Sequence, residues 1–274
     1  MNRLKEWSVS IGLRIGDSRL GKFGLVKRIL QYFRDWVLLP DEISLVQRNG
    51  FLIWVDPHEY IGRRLYLDLG YEEEVIKFLR HHIEAEDTVL DVGANIGFIT
   101  LHMAEWAYNG DVIAIEADPK NFSWLNKNLD ENSFNEVSTF QFAASDEESP
   151  INLHRAGNNY GKSSIYRVAD EDDVIEVPAY RLDKFLDENE ISEVDLVKMD
   201  IEGAEMNAVI GLGGSIEKIG MMVIELHLDH YDPDDLEWFI DYLSQFGNLK
   251  MLNGQKLRKH DDLKGIPQIV WTNG

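Results

Sequence analysis

Short apolar runs alternate along the chain with segments in which apolar residues recur every three or four positions. The runs predict buried strands, and the three-to-four spacing predicts helices that pack on them. This alternation is typical of an α/β fold with a mostly parallel sheet. The stretches predicted to carry sheet strands lie at residues 88–91, 111–116, 137–145, 194–203, 221–226, 249–252 and 268–272.

The stretch TVLDVGANIGFITL, residues 88–101, joins the first of these strands to a helix through a turn that contains Gly93 and Gly97. A helix that follows a parallel strand directs its free N–H groups toward whatever lies above the strand. Turns that bind dinucleotides carry Gly-x-Gly-x-x-Gly, whereas Asn95 and Phe98 stand here at the second and third glycine positions. The turn therefore favours a nucleoside without a pyrophosphate, such as S-adenosylmethionine.

The second strand, DVIAIE, ends on Glu116, 23 residues after Gly93. An acid at this place can accept hydrogen bonds from both ribose hydroxyls; the alternative is a solvated strand end. Asp118 is then predicted to cap a helix with Pro119 at its first position. Two strand–helix units thus follow one another, as a nucleoside site requires.

Composition limits the class of protein. The 274 residues include no cysteine, so disulfides, thiolate metal sites and a cysteine nucleophile are excluded. The net charge is −22, and so acidic a chain is expected to repel nucleic acid. We find no apolar run of about 18 residues and no apolar core of a secretory signal, which predicts a cytoplasmic protein.

Charge and pattern divide the chain into a basic extension, residues 1–40, and a single domain, residues 41–274. The extension holds eight Lys/Arg against three acids. Within it, residues 20–37 have the spacing of a basic amphipathic helix. Two interpretations stay open: contact with a membrane surface or a lipid-linked acceptor, or docking of the helix on the core.

Residues 43–69 are predicted to form short antiparallel strands, with turns at Asn49-Gly50 and Asp56-Pro57, as a flap before the main sheet. Gly70-Tyr71-Glu72 then opens a helix. After residue 146 we predict a strand at 151–154 and a polar loop at 155–164. Residues 147–181 are therefore the expected acceptor or lid segment.

Two later strands carry candidate chemistry. Lys198 lies inside an otherwise apolar strand, where a lysine is costly unless an acid meets it, and Asp200 ends that strand. Beyond residue 221, Glu225, His227 and Asp229 face the same way if the extended conformation persists. His227 is the first candidate for a general base and Asp200 the second; the alternative for His227 is a hydrogen-bonded histidine at a strand end.

Magnesium is a further possibility at these strand ends. Mg²⁺ prefers oxygen ligands, and the possible ligands are Asp200, Glu202, His227 and Asp229. Acids are abundant throughout this chain, so we assign no metal site.

In order along the chain, the segments DVGANIG, AIEADP, FAASD, VDLVKMDIEGAE and VIELH resemble the FkbM family of S-adenosylmethionine-dependent methyltransferases. The resemblance covers roughly residues 60–272 and is strongest in YRLDKFLDENEISEVDLVKMDIEGAE. It implies a class I methyltransferase fold: a Rossmann-like, seven-stranded sheet whose last strand is antiparallel. It also implies O-methylation of a hydroxyl on a sugar, a glycan, a glycolipid or another small molecule.

The resemblance further implies roles for residues in a cofactor half, about 70–146. It places Asp91, Gly93 and Asn95, in the turn closed by Gly97, along the methionine part of the cofactor. Glu116 would hold the ribose, and Asp200 would lie nearest the methyl group. The other implied contacts are Glu72 at the amino acid end, and Ala144, Ser145 and Asp146 beside the adenine, where a plain strand exit is the alternative. The acceptor loop, 157–164, matches only in its small polar character.

Two other classes stay open on the sequence. A nicotinamide-dependent oxidoreductase would share the first strand–helix unit but needs the glycine that Asn95 replaces. A non-catalytic cofactor-binding module would keep Gly93 and Glu116 and lack a base. Neither the acceptor nor the oligomeric state follows from the sequence.

Overall fold

The computed structural model describes residues 39–134, 136–156, 159–164, 173–263 and 267–274. The amphipathic helix predicted at residues 20–37 lies outside this range. No helix in the described part of the chain combines the length and apolarity needed to cross a bilayer.

The described part begins with a hairpin and two helices. Strands β1 (Ser44–Arg48) and β2 (Phe51–Val55) pair antiparallel around the predicted turn, where Asn49 and Gly50 both have positive φ. Helices α1 (Tyr60–Tyr66) and α2 (Glu73–His82) follow. The strand expected near residues 65–69 is wrong. Helix α1 occupies the chain up to Tyr66, and its residues Ile61 and Leu65, one helical turn apart, are both buried in the protein core.

The two predicted strand–helix units come next. Strand β3 (Thr88–Val92) leads into α3 (Phe98–Trp106), and β4 (Asp111–Ile115) leads into α4 (Pro119–Glu131). The predicted cap is confirmed, since the Asp118 carboxylate accepts from the N–H groups of Lys120 and Asn121.

The stretch predicted as one strand at 137–145 is two. Strand β5 (Ser138–Phe140) joins the main sheet, whereas β6 (Ala143–Ser145) leaves it. The predicted lid is largely a small antiparallel sheet, not a loop. Its three strands, in the order β8-β7-β9, are β7 (Ile151–Ala156), β8 (Asn159–Ser164) and β9 (Asp173–Val177). We call it the cover sheet. Strand β10 (Ala179–Arg181) then pairs parallel with β6.

The rest of the chain completes the main sheet. The remaining elements are α5 (Leu182–Glu188), β11 (Val194–Met199), α6 (Glu205–Ile210), β12 (Ile219–Glu225), α7 (Pro233–Ser244), β13 (Gly247–Met251) and β14 (Gln268–Asn273). A capping box formed by Asp232 and Asp235 opens α7.

The main sheet has seven strands in the order β13-β14-β12-β11-β3-β4-β5. Strand β14 is antiparallel to both of its neighbours, as predicted for the last strand. The order reverses between β3 and β11, which is the switch point where open α/β sheets bind ligands. Residues of alternate parity enter two cores, with Val197 and Met199 on one face of the sheet and Leu196 on the other.

Candidate functional site

A cavity of about 530 Å³ lies at the carboxyl ends of β3, β4, β11 and β12. Seven of the predicted site residues lie on its wall: Glu72, Gly93, Asn95, Glu116, Ala144, Asp200 and His227. The other four, Asp91, Gly97, Ser145 and Asp146, do not line it. The cavity has the size of a small-ligand site.

The turn after β3 is left-handed at three positions, since φ is +83° at Gly93, +53° at Asn95 and +86° at Gly97. A Cβ on Gly93 would lie 1.9 Å from the carbonyl oxygen of Asp200, and one on Gly97 would lie 2.7 Å from Leu125 Cδ1. Both glycines are thus required by protein contacts as well as by φ. Their missing side chains make room for the segment that follows β11 and for α4.

Glu116 points at this turn. Its Oε2 accepts from the Asn95 N–H at 2.7 Å, and its Oε1 accepts from the Asp118 N–H at 2.8 Å. The side chain is buried, and burial raises the pKa of the carboxyl to about 7. Each carboxylate oxygen offers two lone-pair positions, so both keep capacity for a ligand hydroxyl.

Asp118 connects this end of the cavity to the cover sheet. Arg155 on β7 donates Nε to Asp118 Oδ2 at 2.7 Å and Nη2 to Oδ1 at 2.9 Å. Asp118 is fully buried. Arg155 was expected in a polar loop, and its pairing with Asp118 was not predicted, because the two residues are 37 positions apart.

Lys198 meets an acid, as predicted. Its Nζ lies 3.4 Å from Asp91 Oδ1 and 3.8 Å from Asp200 Oδ2, and it donates to the Gly93 carbonyl at 3.2 Å. Burial acts to lower the pKa of Lys198, but Asp91 and Asp200 outweigh it and the pKa is raised. Asp91 itself is fully buried behind the cavity, where it also accepts from Thr100.

His227 lies among three carboxylates. Its Nδ1 is 2.9 Å from Glu205 Oε1, and its Nε2 is 3.2 Å from Glu202 Oε2 and 3.7 Å from Asp200 Oδ1. Burial acts to lower the pKa of His227, but these acids raise it to about 9. At neutral pH the ring is therefore an imidazolium, which donates protons and cannot accept one. This opposes the predicted role of His227 as general base.

The extended conformation that would bring Glu225, His227 and Asp229 to one face does not persist, since strand β12 ends at Glu225 and Leu228–His230 forms a 3-10 helix. Glu225 and His227 both line the cavity, and Asp229 does not. The partner that the sequence analysis missed is Glu205, fully buried at the start of α6. An acid at a helix start is common, so only the tertiary contact distinguishes it.

Glu205 also holds the loop after β11 in place. Its carboxylate accepts from the Gly203 N–H at 2.9 Å and from Tyr231 Oη at 2.6 Å. Burial acts to raise the pKa of Glu205, but these bonds and His227 lower it below its ordinary value. Glu205 is therefore an ionised anchor for His227.

Glu72 and Glu225 bring two more acids to the same end of the cavity. Burial raises the pKa of Glu72 to about 7, with Glu225 and Asp200 adding to the shift. Burial and Asp200 also raise the pKa of Glu225. This end of the cavity is acidic and is suited to a cationic group of a ligand.

Three of the four possible magnesium ligands lie together. Asp200, Glu202 and His227 each bring one ligand atom within 4.8 Å of the others. Asp229 is not part of this group of described residues. This donor set could hold a cation such as Mg²⁺, and a protonated His227 supplies one positive charge to the same carboxylates.

A seven-stranded sheet with an antiparallel last strand, carrying a nucleoside-type cleft at its switch point, defines a class I methyltransferase fold. The chain belongs to the FkbM methyltransferase domain family, whose profile matches residues 91–251. The protein is thus a methyltransferase, as the sequence resemblance implied.

Curated relatives extend over most of the chain. The hexuronic acid methyltransferase AglP of Haloferax volcanii is 25% identical over 218 residues, which cover 77% of this chain and 87% of that protein. Methyltransferase 1 of Beauveria bassiana is 26% identical over 213 residues, or 69% of this chain and 82% of the relative. Among solved structures, an FkbM methyltransferase of Methylobacillus flagellatus is 16% identical, with a TM-score of 0.46, and the match covers 69% of this chain and 44% of that one.

Proposed function

We propose that the protein transfers the methyl group of S-adenosylmethionine to a hydroxyl of a sugar or a sugar-containing molecule. The observation that carries the proposal is Glu116, held at the tip of β4 by two backbone N–H groups and aimed at the glycine turn. A buried carboxylate in this position is suited to accept from ribose hydroxyls.

The other proposed cofactor contacts follow from the position of the ribose. Ala143 and Ala144, both on the cavity wall, offer a flat apolar surface for the adenine. Glu72 offers a carboxylate to the cofactor's ammonium group at the acidic end. Asp91 does not touch the cofactor in this proposal; it holds Lys198, which in turn supports the carbonyl of Gly93.

Methyl transfer is an in-line displacement, so the acceptor oxygen has to lie opposite the sulfonium sulfur at about 3 Å from the methyl carbon. The hydroxyl becomes acidic as it attacks, and a nearby base helps. We assign that base to Asp200, which lies between Lys198 and His227. The imidazolium of His227 positions Asp200 and Glu202 and takes no proton.

The acceptor class rests on one relative and on the cavity. The Haloferax volcanii relative is named for a hexuronic acid, which supports a sugar acceptor here. A wall rich in carboxylates also suits a polyol, because ionised oxygens accept strong hydrogen bonds from hydroxyls.

Isothermal titration calorimetry with S-adenosylmethionine and with NAD tests the cofactor. We expect binding of S-adenosylmethionine and none of NAD; the reverse result would establish the oxidoreductase alternative. Incubation with methyl-labelled S-adenosylmethionine and a host extract then tests transfer. Label that stays on the cofactor although the cofactor binds would indicate a non-catalytic module.

A further inference from the structure

Helix α1 forms a wall of the cavity that the proposed cofactor contacts do not use. Tyr60, Ile61 and Arg64 face the cavity from this helix. The helix is held firmly, since Ile61 is buried and a Cβ on Gly62 would lie 2.0 Å from the carbonyl oxygen of Asp56. The backbone of β8 in the cover sheet runs beside it. The wall is therefore rigid and close to the predicted lid.

Arg64 differs from the other two cations of the cavity. Lys198 and His227 each lie within 4.0 Å of carboxylates. Arg64 instead donates Nε to the Gly70 carbonyl at 2.7 Å and Nη2 to the Leu69 carbonyl at 3.0 Å. These acceptors are neutral, and Arg64 has no ion pair among the described residues. Its Nη1 group and its full charge stay available to a ligand.

Tyr60 lies next to this guanidinium. The centre of its ring is 5.9 Å from Arg64 Cζ, and the side chain is 41% exposed. An exposed ring on a cavity wall can pack against the apolar C–H face of a sugar ring. Arg64 on one side and carboxylates across the cavity can then bond the hydroxyls at the sugar's edge.

Arg64 also lies near Glu72. It donates to the carbonyl of Gly70, two residues before Glu72, and its charge acts on Glu72, which in turn feels Asp200 and Glu225. An occupant that reaches Arg64 would therefore lie beside Glu72, at the acidic end of the cavity.

We propose that Tyr60 and Arg64 form the acceptor subsite, which binds a hexopyranose with its C–H face on Tyr60 and a ring substituent on Arg64. The subsite rests on the proposed function and deepens it. A neutral hexose would offer Arg64 a hydroxyl, and a hexuronic acid would offer it a carboxylate.

Saturation-transfer NMR tests the subsite with two probes, methyl glucopyranoside and its C6 acid, methyl glucopyranosiduronate. We expect saturation of the sugar ring protons in the unmodified protein. Tyr60→Ala weakens sugar binding by about twofold to tenfold, the range of an aromatic contact, and Tyr60→Phe restores it. Tyr108→Ala removes another exposed tyrosine, 68% accessible and outside the cavity, and leaves binding unchanged.

Arg64→Lys separates the two sugars. A larger loss for the glucuronate than for the glucoside assigns a carboxylate to Arg64, and equal losses assign a hydroxyl. Absence of saturation for both sugars, or equal binding in the Tyr60→Ala variant, overturns the subsite. Calorimetry with S-adenosylmethionine on the same samples keeps the two proposals apart. If the unmodified protein does not bind the cofactor, the proposed function is refuted, whereas the sugar contact is not.

Discussion

The two ends of the cavity hold carboxylates in opposite ways. At one end, which we call the ribose end, Glu116 is fixed by backbone N–H groups of Asn95, 21 residues earlier, and Asp118, two residues later. At the other, the transfer end, Asp200 and Glu202 face a histidine whose position depends on Glu205 and Tyr231. Backbone donors fix a carboxylate without adding charge. A cationic side chain holds a carboxylate only at pH values at which that side chain stays protonated.

This difference predicts which end tolerates change. At the ribose end, Glu116 is held by backbone N–H groups, so its proposed contact with the cofactor does not depend on the protonation of another side chain. At the transfer end, Asp200, Glu202, Glu205 and His227 form one network, so removal of one charge alters the others. Substitutions at the transfer end should therefore affect turnover more than cofactor binding.

Asp200→Asn should have the largest effect. Loss of the base is expected to lower kcat by about a hundredfold to a thousandfold, within the range for general bases. The affinity for S-adenosylmethionine, measured by calorimetry, should change only a few-fold. Label transfer to the acceptor measures kcat.

Asp229→Asn is the matched control, because Asp229 follows β12, the strand that pairs with β11, and does not line the cavity. It should keep full turnover. Equal kcat in the Asp200→Asn variant and the unmodified protein would remove Asp200 from the proposed mechanism.

Arg155→Met tests whether the ribose end depends on the cover sheet. The change removes the two hydrogen bonds from Arg155 to the buried Asp118, which keeps its backbone N–H donors, and should lower the free energy of unfolding by about 1.5–3 kcal/mol, the range for hydrogen bonds to charged groups. Urea unfolding followed by circular dichroism measures it.

Lys184→Met is the control, since Lys184 pairs with Glu148 on the surface, where ion pairs contribute roughly 0–1 kcal/mol. If both variants lost the same small amount, the cover sheet would not be anchored through Asp118.

The two ends of the cavity also differ in how much of each could be predicted from the sequence. The strand, glycine turn and helix at 88–106 and the cap at Asp118 follow from local spacing and are confirmed. Glu116 lies at the end of β4 as expected, and its role toward a ribose stays a prediction. The seven strands of the main sheet were predicted at the right places, because apolar runs mark buried strands directly. The exception is β5, which ends at Phe140 and not at residue 145.

The transfer end could not be predicted in the same way. His227 was identified, but no motif links it to Glu205, which sets its protonation state, whereas a motif links the glycine turn to Glu116. The pair Arg155–Asp118 and the wall residues Tyr60 and Arg64 likewise come from contacts between distant segments. Tertiary neighbours, and not local pattern, determine charge and exposure at these positions.

Glu116→Gln sharpens the comparison at the ribose end. The amide cannot accept from both backbone N–H groups, and it gives up the charge that strengthens bonds to the ribose hydroxyls. Cofactor affinity should fall by about tenfold to a hundredfold, with kcat at saturating cofactor reduced far less. Calorimetry and label transfer measure the two quantities.

Glu136→Gln, an exposed acid between β4 and β5, serves as the control and should bind the cofactor normally. An unchanged affinity in the Glu116→Gln variant would show that the ribose lies elsewhere.

The last prediction is a pH dependence in which binding and stability have opposite signs. Burial raises the pKa of Glu116 and of Glu72 to about 7 in the protein without ligand. If the cofactor binds the ionised forms, its affinity should fall about tenfold for each group between pH 8 and pH 6, because the ionised fraction drops by about that factor. Calorimetry at the two pH values measures the change, and the Glu72→Gln variant should show a shallower dependence.

Stability of the unliganded protein should change in the other direction. Because the pKa of each acid is higher in the folded than in the unfolded chain, the folded state binds more protons between pH 4.5 and pH 7, and the free energy of unfolding contributed by these groups falls as pH rises through that window. Saturating S-adenosylmethionine should reduce this loss, since the ligand supplies partners for both carboxylates. A protein whose cofactor affinity and stability both rose with pH would contradict the assignment of these two buried acids to the cofactor, whatever the outcome at Asp200.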